Sequence, residues 1–475
     1  MVFLESLFGL IGDLTWGWAL IPFLVIFGVF LTAATNFVQF RYFKRMFRVL
    51  SGDNQSADPN TISAREALFV SVGGRVGGGN IAGVAVAITL GGPGAVFWMW
   101  MIALVGMATS LVECSLAQAF KRKQEDGSYR GGPARMIMHG LGEDYRWLAM
   151  MYAICLIAAF GIGFPAFQGN TVAGAAENSF GLSRYITGGI LTVGTGFIVF
   201  GGIQRIAKAS DIIVPVMAFG YIAMALIVIL VNFTQIPSIL VMIVSNALGF
   251  EEAVSGGMGA AIAQGLRRGL FSNEAGLGSA PNVAAAADVY HPVSQGITQS
   301  FSVFIDTILI CSCTAFVILM SDVYQPGAEV DGVVLTQNAL VSHLGSWTQY
   351  FLTIAVLLFA FSSIIYNYYL GENALSFMTP NPQALLVFKF VLMAIVFLGA
   401  VAPGATAVFF FSDPMMGVLA MVNLLALMML FPILRRILKD FDEQRKSGVA
   451  RPVFNPEDFP DLDLDHSAWH HKQAT

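Results

Sequence analysis

Two glycine-rich runs interrupt otherwise apolar stretches of this chain, and each carries an ionisable residue. One reads Val72-Gly73-Gly74-Arg75-Val76-Gly77-Gly78-Gly79-Asn80, inside a segment from about Glu66 to Leu90. The other runs from Gly265 to Gly276, through Arg267, Arg268, Phe271, Ser272, Asn273 and Glu274, inside a segment from about Gly256 to Ala287. Unwound backbone at membrane depth is tolerated only where protein buries it or a watery cavity receives it. A helix that restarts after a break presents unpaired N–H groups and about half a positive charge, which suits a carboxylate. Gly78, Gly79 and Asn80 would supply those donors, with glycine letting a ligand reach bare backbone. The carbonyls freed at the end of the preceding half, Gly73 to Val76, point the other way and suit a small hard cation such as Na⁺. The same glycines would also suit close helix packing, and two breaks in corresponding halves favour the binding reading.

Ionisable residues inside a bilayer are costly and mark function by default. Arg75 and Glu274 lie within the two breaks and are expected to face one cavity. Glu113 and Asp306 lie within other spans, where a helix cap or a structural pair is the alternative. Arg75, Glu113 and Glu274 are therefore candidates for coupling or gating. Gln168, set in Phe164-Pro165-Ala166-Phe167-Gln168-Gly169-Asn170, could contact an amino or carboxyl group or bond a neighbouring helix.

The elements that must position these groups follow from composition. Of 475 residues, 56% are hydrophobic and 12% charged, against about 25% charged in a typical soluble chain. Eleven stretches have the ~20 apolar residues that a bilayer requires, near 18–40, 66–90, 95–120, 147–176, 184–203, 210–232, 256–287, 296–320, 347–378, 384–402 and 408–434. Basic residues cluster after the first, third, fifth and last of these. Residues 1–17, 91–94, 233–255, 321–346 and 403–407 hold no Lys or Arg. Positive loops stay cytoplasmic, which places the N-terminus outside and the C-terminus inside. The basic cluster follows the first apolar run rather than preceding it, unlike a cleaved signal.

An all-α membrane bundle follows, with residues 1–41 an extra N-terminal helix and residues 66–232 and 256–434 two halves of opposite topology. Each half opens with a broken span. Residues 440–475 form a polar cytoplasmic tail, expected to fray and then be disordered. A short helix over the outer mouth is expected near Val334–Leu344. Cys114, Cys155, Cys311 and Cys313 read as packing residues, and the tail pair His470 and His471 as a weak metal site at most. No Gly-x-x-x-x-Gly-Lys-Ser/Thr loop supports an ATP-driven pump. No histidine cluster or Gly-x-Ser-x-Gly elbow supports an enzyme. A channel remains a rival reading, and no nucleic-acid partner is expected.

The runs Gly77 to Ala85, Gly91 to Trp100 with Gly106 to Thr109 and Glu113, and Arg268 to Pro281 resemble the alanine/glycine:cation symporters, also described as sodium:alanine symporters. That resemblance implies a LeuT-type five-plus-five inverted-repeat fold of eleven helices. It implies secondary active import of a small neutral amino acid with Na⁺ across a bacterial inner membrane, with membrane lipid around it and no cofactor beyond the coupling ion. The alternative is proton-coupled symport of a larger neutral amino acid. By the same resemblance, Gly77, Gly78, Gly79 and Asn80 form the carboxylate-binding turn. Gly73 and Val76 carbonyls with Ser362 and Ser363 form the sodium site, and Gln168, Phe271, Ser272 and Asn273 line the substrate pocket. Two departures stand out. Gly78 replaces the usual threonine, and Tyr366-Asn367 replaces the Gly-Trp of many members. An indole wall gives way to an amide, so Asn367 joins the substrate residues and a larger or more polar substrate is expected.

Overall fold

The computed structural model describes residues 10, 13–51, 61–250, 257–325, 332–402 and 406–469, so His470 and His471 lie outside the described residues. The chain is mostly helical, as a polytopic membrane protein requires: in lipid every backbone polar group must bond within its own segment. In chain order the helices are α1 (Ile21–Ala34), α2 (Ala64–Arg75), α3 (Gly79–Gly91), α4 (Gly94–Ala119), α5 (Pro133–Leu141), α6 (Glu143–Phe180), α7 (Arg184–Val199) and α8 (Gly202–Val231). They continue with α9 (Ile236–Ala247), α10 (Gly257–Asn273), α11 (Ser279–Ala284), α12 (Pro292–Leu319), α13 (Gly332–Leu344), α14 (Trp347–Met378), α15 (Pro382–Val401) and α16 (Thr406–Lys446).

Among the described residues, seven helices are long and apolar enough to cross a bilayer: α4, α6, α8, α12, α14, α15 and, from Pro414, α16. The other expected spans are built from shorter pieces. α1 has 14 residues and α7 has 16. The two glycine-broken segments are each a pair of half-helices, α2 with α3 and α10 with α11. Phe197 on α7 and Phe219 on α8 are 73% and 74% exposed, an outward apolar face that lipid rather than water would cover.

α2 starts on a capping box. Ser63 Oγ accepts from the Glu66 backbone N–H, and the Glu66 carboxylate accepts from Ser63 N–H. The second segment breaks later than its glycines suggest. α10 runs unbroken to Asn273, and the turn is made by Glu274, Gly276 and Gly278, all at positive φ. Gly265 and Gly269 instead let α10 close on α4, since a side chain there would overlap Ala95 and Ile102. For these two glycines the packing alternative wins.

The helix expected at Val334–Leu344 is present as α13. It lies on the first break, where Thr336 Oγ1 donates to the Ile81 carbonyl at 3.2 Å. Two helices and a hairpin were not anticipated. α9 sits in what read as a loop, and its Asn246 Oδ1 caps the Gly94 N–H at 2.8 Å. A two-stranded hairpin, β1 (Arg122–Lys123) and β2 (Tyr129–Arg130), follows α4 and leads to α5.

The tail corrects the expectation of disorder. Residues 450–469 fold back against the hairpin after α4, the loop before α12, and the helices α5 and α16. Phe454 N–H donates to the Tyr290 carbonyl at 2.8 Å, and the Phe454, Phe459 and Trp469 side chains are buried. Asp461 binds Arg436 through both oxygens, Asp463 binds Arg122 at 2.8 Å and His139 at 2.6 Å, and Asp465 accepts from the Lys123 N–H. The acidic run finds its complement in the basic loop that follows α4. Lys121 is buried between the rings of Tyr129 and Trp469, at 4.1 and 4.2 Å. Burial pushes its ammonium down to about 7.

Candidate functional site

The first break is built on glycine because nothing larger fits. α2 ends at Arg75, Val76 is extended, and α3 starts at Gly79 with a wide turn through Gly83. A side chain on Gly73 would strike Val214, one on Gly74 would enter the Tyr366 ring, and one on Gly77 would meet Ser363 Oγ at 2.7 Å and Gln168 Nε2 at 2.8 Å. These contacts place α14 and α6 directly against the unwound backbone.

Ser362 and Ser363 on α14 converge on the carbonyls that end α2. Ser362 Oγ donates to Gly73 O at 2.8 Å, and Ser363 Oγ lies 3.2 Å from Gly73 O and 3.0 Å from Gly74 O. Four neutral oxygens thus meet at one point. Gly73, Ser362 and Ser363 come together as expected, and Gly74 joins them. Val76 caps α2 through its N–H to Val72 O and makes no bond to the serines. Hydroxyl hydrogens can rotate away, which would free lone pairs for a small cation.

The turn's donors are partly engaged. Gly77 N–H donates to Asn80 Oδ1 at 3.0 Å, and Gly78 N–H to Gln168 Oε1 at a long 3.4 Å. Around them stand three aromatic rings. Phe167 would touch a side chain on Gly78 and Phe271 one on Gly79. Phe271 stacks on Phe164 with centroids 5.1 Å apart. Gly77, Gly78, Gly79, Gln168 and Phe271 therefore share one locus, walled by Phe164 and Phe167. The aromatic spacing around Gln168 was the available signal for those two rings.

Ser272 lies beside the turn, its Oγ accepting from Asn80 Nδ2 at 3.1 Å, but its hydroxyl and the Asn273 amide oxygen are engaged within the protein. Ser272 Oγ donates to Asp306 Oδ2 at 2.9 Å, and Asn80 Nδ2 donates to Asp306 Oδ1 at 2.7 Å, so Asp306 ties α3, α10 and α12 together. Asn273 Oδ1 accepts from Ala275 N–H at 3.0 Å and shapes the second break. Asp306 was visible as an in-span carboxylate, but its partners were not.

The second break hangs on buried carboxyls. Glu274 accepts from Ser279 Oγ at 2.5 Å and Tyr366 Oη at 3.1 Å. Glu113 on α4 accepts from Gly276 N–H at 3.3 Å and from Asn423 Nδ2 at 2.9 Å, and Asn423 also donates to the Gly276 carbonyl. Asn423 on α16 was missed, although an amide in an apolar span was its signal. Arg75 hydrogen-bonds to Ser302, Ser110 and the Gln299 carbonyl rather than to Glu274.

Asn367 is 1% exposed, and neither its Nδ2 nor its Oδ1 has a hydrogen-bond partner among the described residues. Among the described residues it makes no bond to a neighbouring helix.

Comparison with known proteins bears on the whole chain. The model of the sodium:alanine symporter family matches residues 1–456. The probable sodium/glutamine symporter GlnT of Bacillus subtilis is 46% identical over 452 residues, which is 95% of this chain and 93% of that one. The amino-acid carrier protein AlsT of the same organism is 44% identical, covering 97% of each chain. Among solved structures, MhsT in complex with L-phenylalanine superposes with a TM-score of 0.54 over 81% of this chain and 98% of its own, at 13% identity. That likeness supports the fold alone, a LeuT-type transporter fold. The protein is a membrane transporter and not an enzyme, and the chain belongs to the sodium:alanine symporter family.

Proposed function

We propose that this protein is a secondary active symporter that imports a neutral amino acid together with Na⁺ by alternating access. The observation that carries the reading is the meeting of Ser362 and Ser363 hydroxyls with the Gly73 and Gly74 carbonyls, one turn from the glycine N–H groups of residues 77–79. A neutral oxygen cage suits a monovalent cation, and the start of α3 suits the amino acid's carboxylate. One break thus offers both halves of the cargo. The Phe164, Phe167 and Phe271 rings would shut out water and exclude a charged side chain.

The substrate names printed for relatives are glutamine for GlnT and alanine for the sodium/proton-dependent carrier of Bacillus sp. (strain PS3), which is 34% identical. Both are neutral amino acids, and the reading here adopts that class. Alanine/glycine-type import is the simplest form. Proton coupling is the second reading, favoured by the buried Glu274, which is hydrogen-bonded to Ser279 and Tyr366 but has no ion-pair partner among the described residues.

Eleven spans, one extra N-terminal helix followed by two inverted halves of five, with the N-terminus outside and the C-terminus inside a bacterial inner membrane, complete the proposal. Loop charge supports it, with Arg41, Lys44 and Arg45 on one side and residues 233–255 free of Lys and Arg on the other. The test is uptake of radiolabelled amino acids into proteoliposomes under imposed gradients. Uptake driven by Na⁺ and lost in choline supports the reading. Equal uptake in both buffers, driven instead by a pH gradient, overturns the Na⁺ assignment. Each charge moved inward gains about 2.3 kcal/mol per 100 mV, so uptake should also respond to membrane potential.

A further inference from the structure

Asn367 occupies a defined place along α14. Four residues before it, Ser363 touches the Gly73 and Gly74 carbonyls. Four residues after it, Gly371 lies against α6, where a side chain would come within 3.2 Å of Gly161 Cα and strike Phe388. Residues four apart share one helix face. Asn367 therefore faces the gap between the glycine turn and the wide π-helical turn Ile157–Gly163 of α6, which leads into Phe164 and Gln168. Wide turns of this kind concentrate at functional sites.

Its amide is buried with both polar atoms unpaired among the described residues. Leaving such a group unsatisfied is unfavourable, so a permanent structural role is a poor account of it. The two atoms want opposite partners: Nδ2 donates and Oδ1 accepts. A carboxylate satisfies only the first and an ammonium only the second. A methyl or aliphatic chain satisfies neither. A carboxamide satisfies both at once, through two antiparallel N–H···O bonds. We infer that Asn367 is the specificity residue of this site, and that the preferred substrates are neutral amino acids whose side chain carries a carboxamide. This rests on the symporter reading above and narrows its substrate class.

The test compares near-isosteric pairs in proteoliposomes under a Na⁺ gradient. Glutamine is set against methionine and asparagine against leucine, with alanine as the reference. The wild-type protein should favour each carboxamide by at least about tenfold in kcat/KM, since a site built for hydrogen bonding rejects an analogue that leaves it unpaired. Asn367→Leu should collapse both ratios toward unity, whatever its absolute rates, because each ratio is taken within one pair on the same variant. Asn367→Ser, smaller and still polar, gives an intermediate ratio and serves where the leucine variant fails to fold. A wild-type ratio below about twofold overturns the inference, as does a high ratio retained in Asn367→Leu; both leave Na⁺-driven alanine uptake, and so the symporter reading, standing. Absence of Na⁺-driven uptake of every neutral amino acid overturns the symporter reading and this inference with it.

Discussion

The Tyr366 hydroxyl donates to Glu274 Oε2 at 3.1 Å, while the ring of the same residue fills the space beside Gly74. One side chain on α14 therefore touches both breaks. The unwound turns belong to different halves of the chain, and any rearrangement of one relative to the other must move or release this tyrosine.

Tyr366→Phe keeps the ring and removes the bond. We expect stability to fall by about 1–2 kcal/mol, the worth of a buried hydrogen bond. Uptake should slow roughly in step with the loosened second break. Gly74→Ala should abolish folding or transport through overlap with the ring, and Tyr366→Gly in the same chain should restore it. Thermal unfolding in detergent, run beside initial uptake rates, measures both. A fully active Gly74→Ala single variant would contradict the arrangement.

Ser363→Ala removes one of four oxygens from the proposed cation cage. The Na⁺ concentration giving half-maximal uptake should rise about tenfold, a difference of some 1.4 kcal/mol. Ser363→Thr keeps the hydroxyl and should stay within a few-fold of wild type. The measurement is initial uptake rate against Na⁺ at saturating amino acid. An unmoved Na⁺ curve for the alanine variant would remove Ser363 from the site.

Gly79 separates fold from binding. A side chain there meets the Phe271 ring at 3.5 Å and Ser272 Cα at 3.8 Å, both ordinary contact distances, so Gly79→Ala should insert and fold normally. Gly79→Leu should block the carboxylate's approach to the turn and lose substrate binding. On wild type, amino-acid amides lacking the carboxylate should compete at least tenfold worse than their parent acids. Competition by amides at equal strength would move the carboxylate site away from this turn.

His291 gives the protein an acid-side sensitivity. Its Nδ1 accepts from Val293 N–H at the start of α12, and its Nε2 donates to Asp440 at 3.0 Å. Burial holds the imidazole below its ordinary 6.5, outweighing the pull of Asp440. The unfolded chain then binds a proton before the folded one does, so stability is flat above about pH 7 and falls as pH drops below 6.5. His291→Asn can still cap α12 where Nδ1 did, gives up the reach to Asp440, and does not titrate. Melting curves from pH 5 to 8 should show a shallower acid loss for the variant than for wild type.

The sequence made the two breaks, the long spans and the family legible, because glycine runs inside apolar segments have few other uses. It named Ser362, Ser363 and Gly73, which the structure brings together, and the glycine turn beside them. It misplaced the centre of the second break, because Gly265 and Gly269 look like a turn but serve packing against α4, a fact that only Ala95 and Ile102 reveal. The family resemblance assigned Ser272 and Asn273 to the pocket. Ser272 does lie beside Asn80 and Gly79, but its hydroxyl is taken up by Asp306, a partner that only the folded chain reveals. The tail was unreadable for another reason. Its acidic residues are matched by Arg122, His139 and Arg436, hundreds or tens of positions away, and composition cannot register a complement at that distance.

That folded tail bears on how relatives can be recombined. Its contacts reach the hairpin after α4, the loop before α12, α5 and α16 at once. A chimera that joins the membrane region of this chain to the last twenty-odd residues of a relative would pair acidic and aromatic groups with partners they did not evolve beside. Exchanges meant to transplant substrate preference should therefore move the tail and the surface it packs on as one unit, and leave the junctions within the helices.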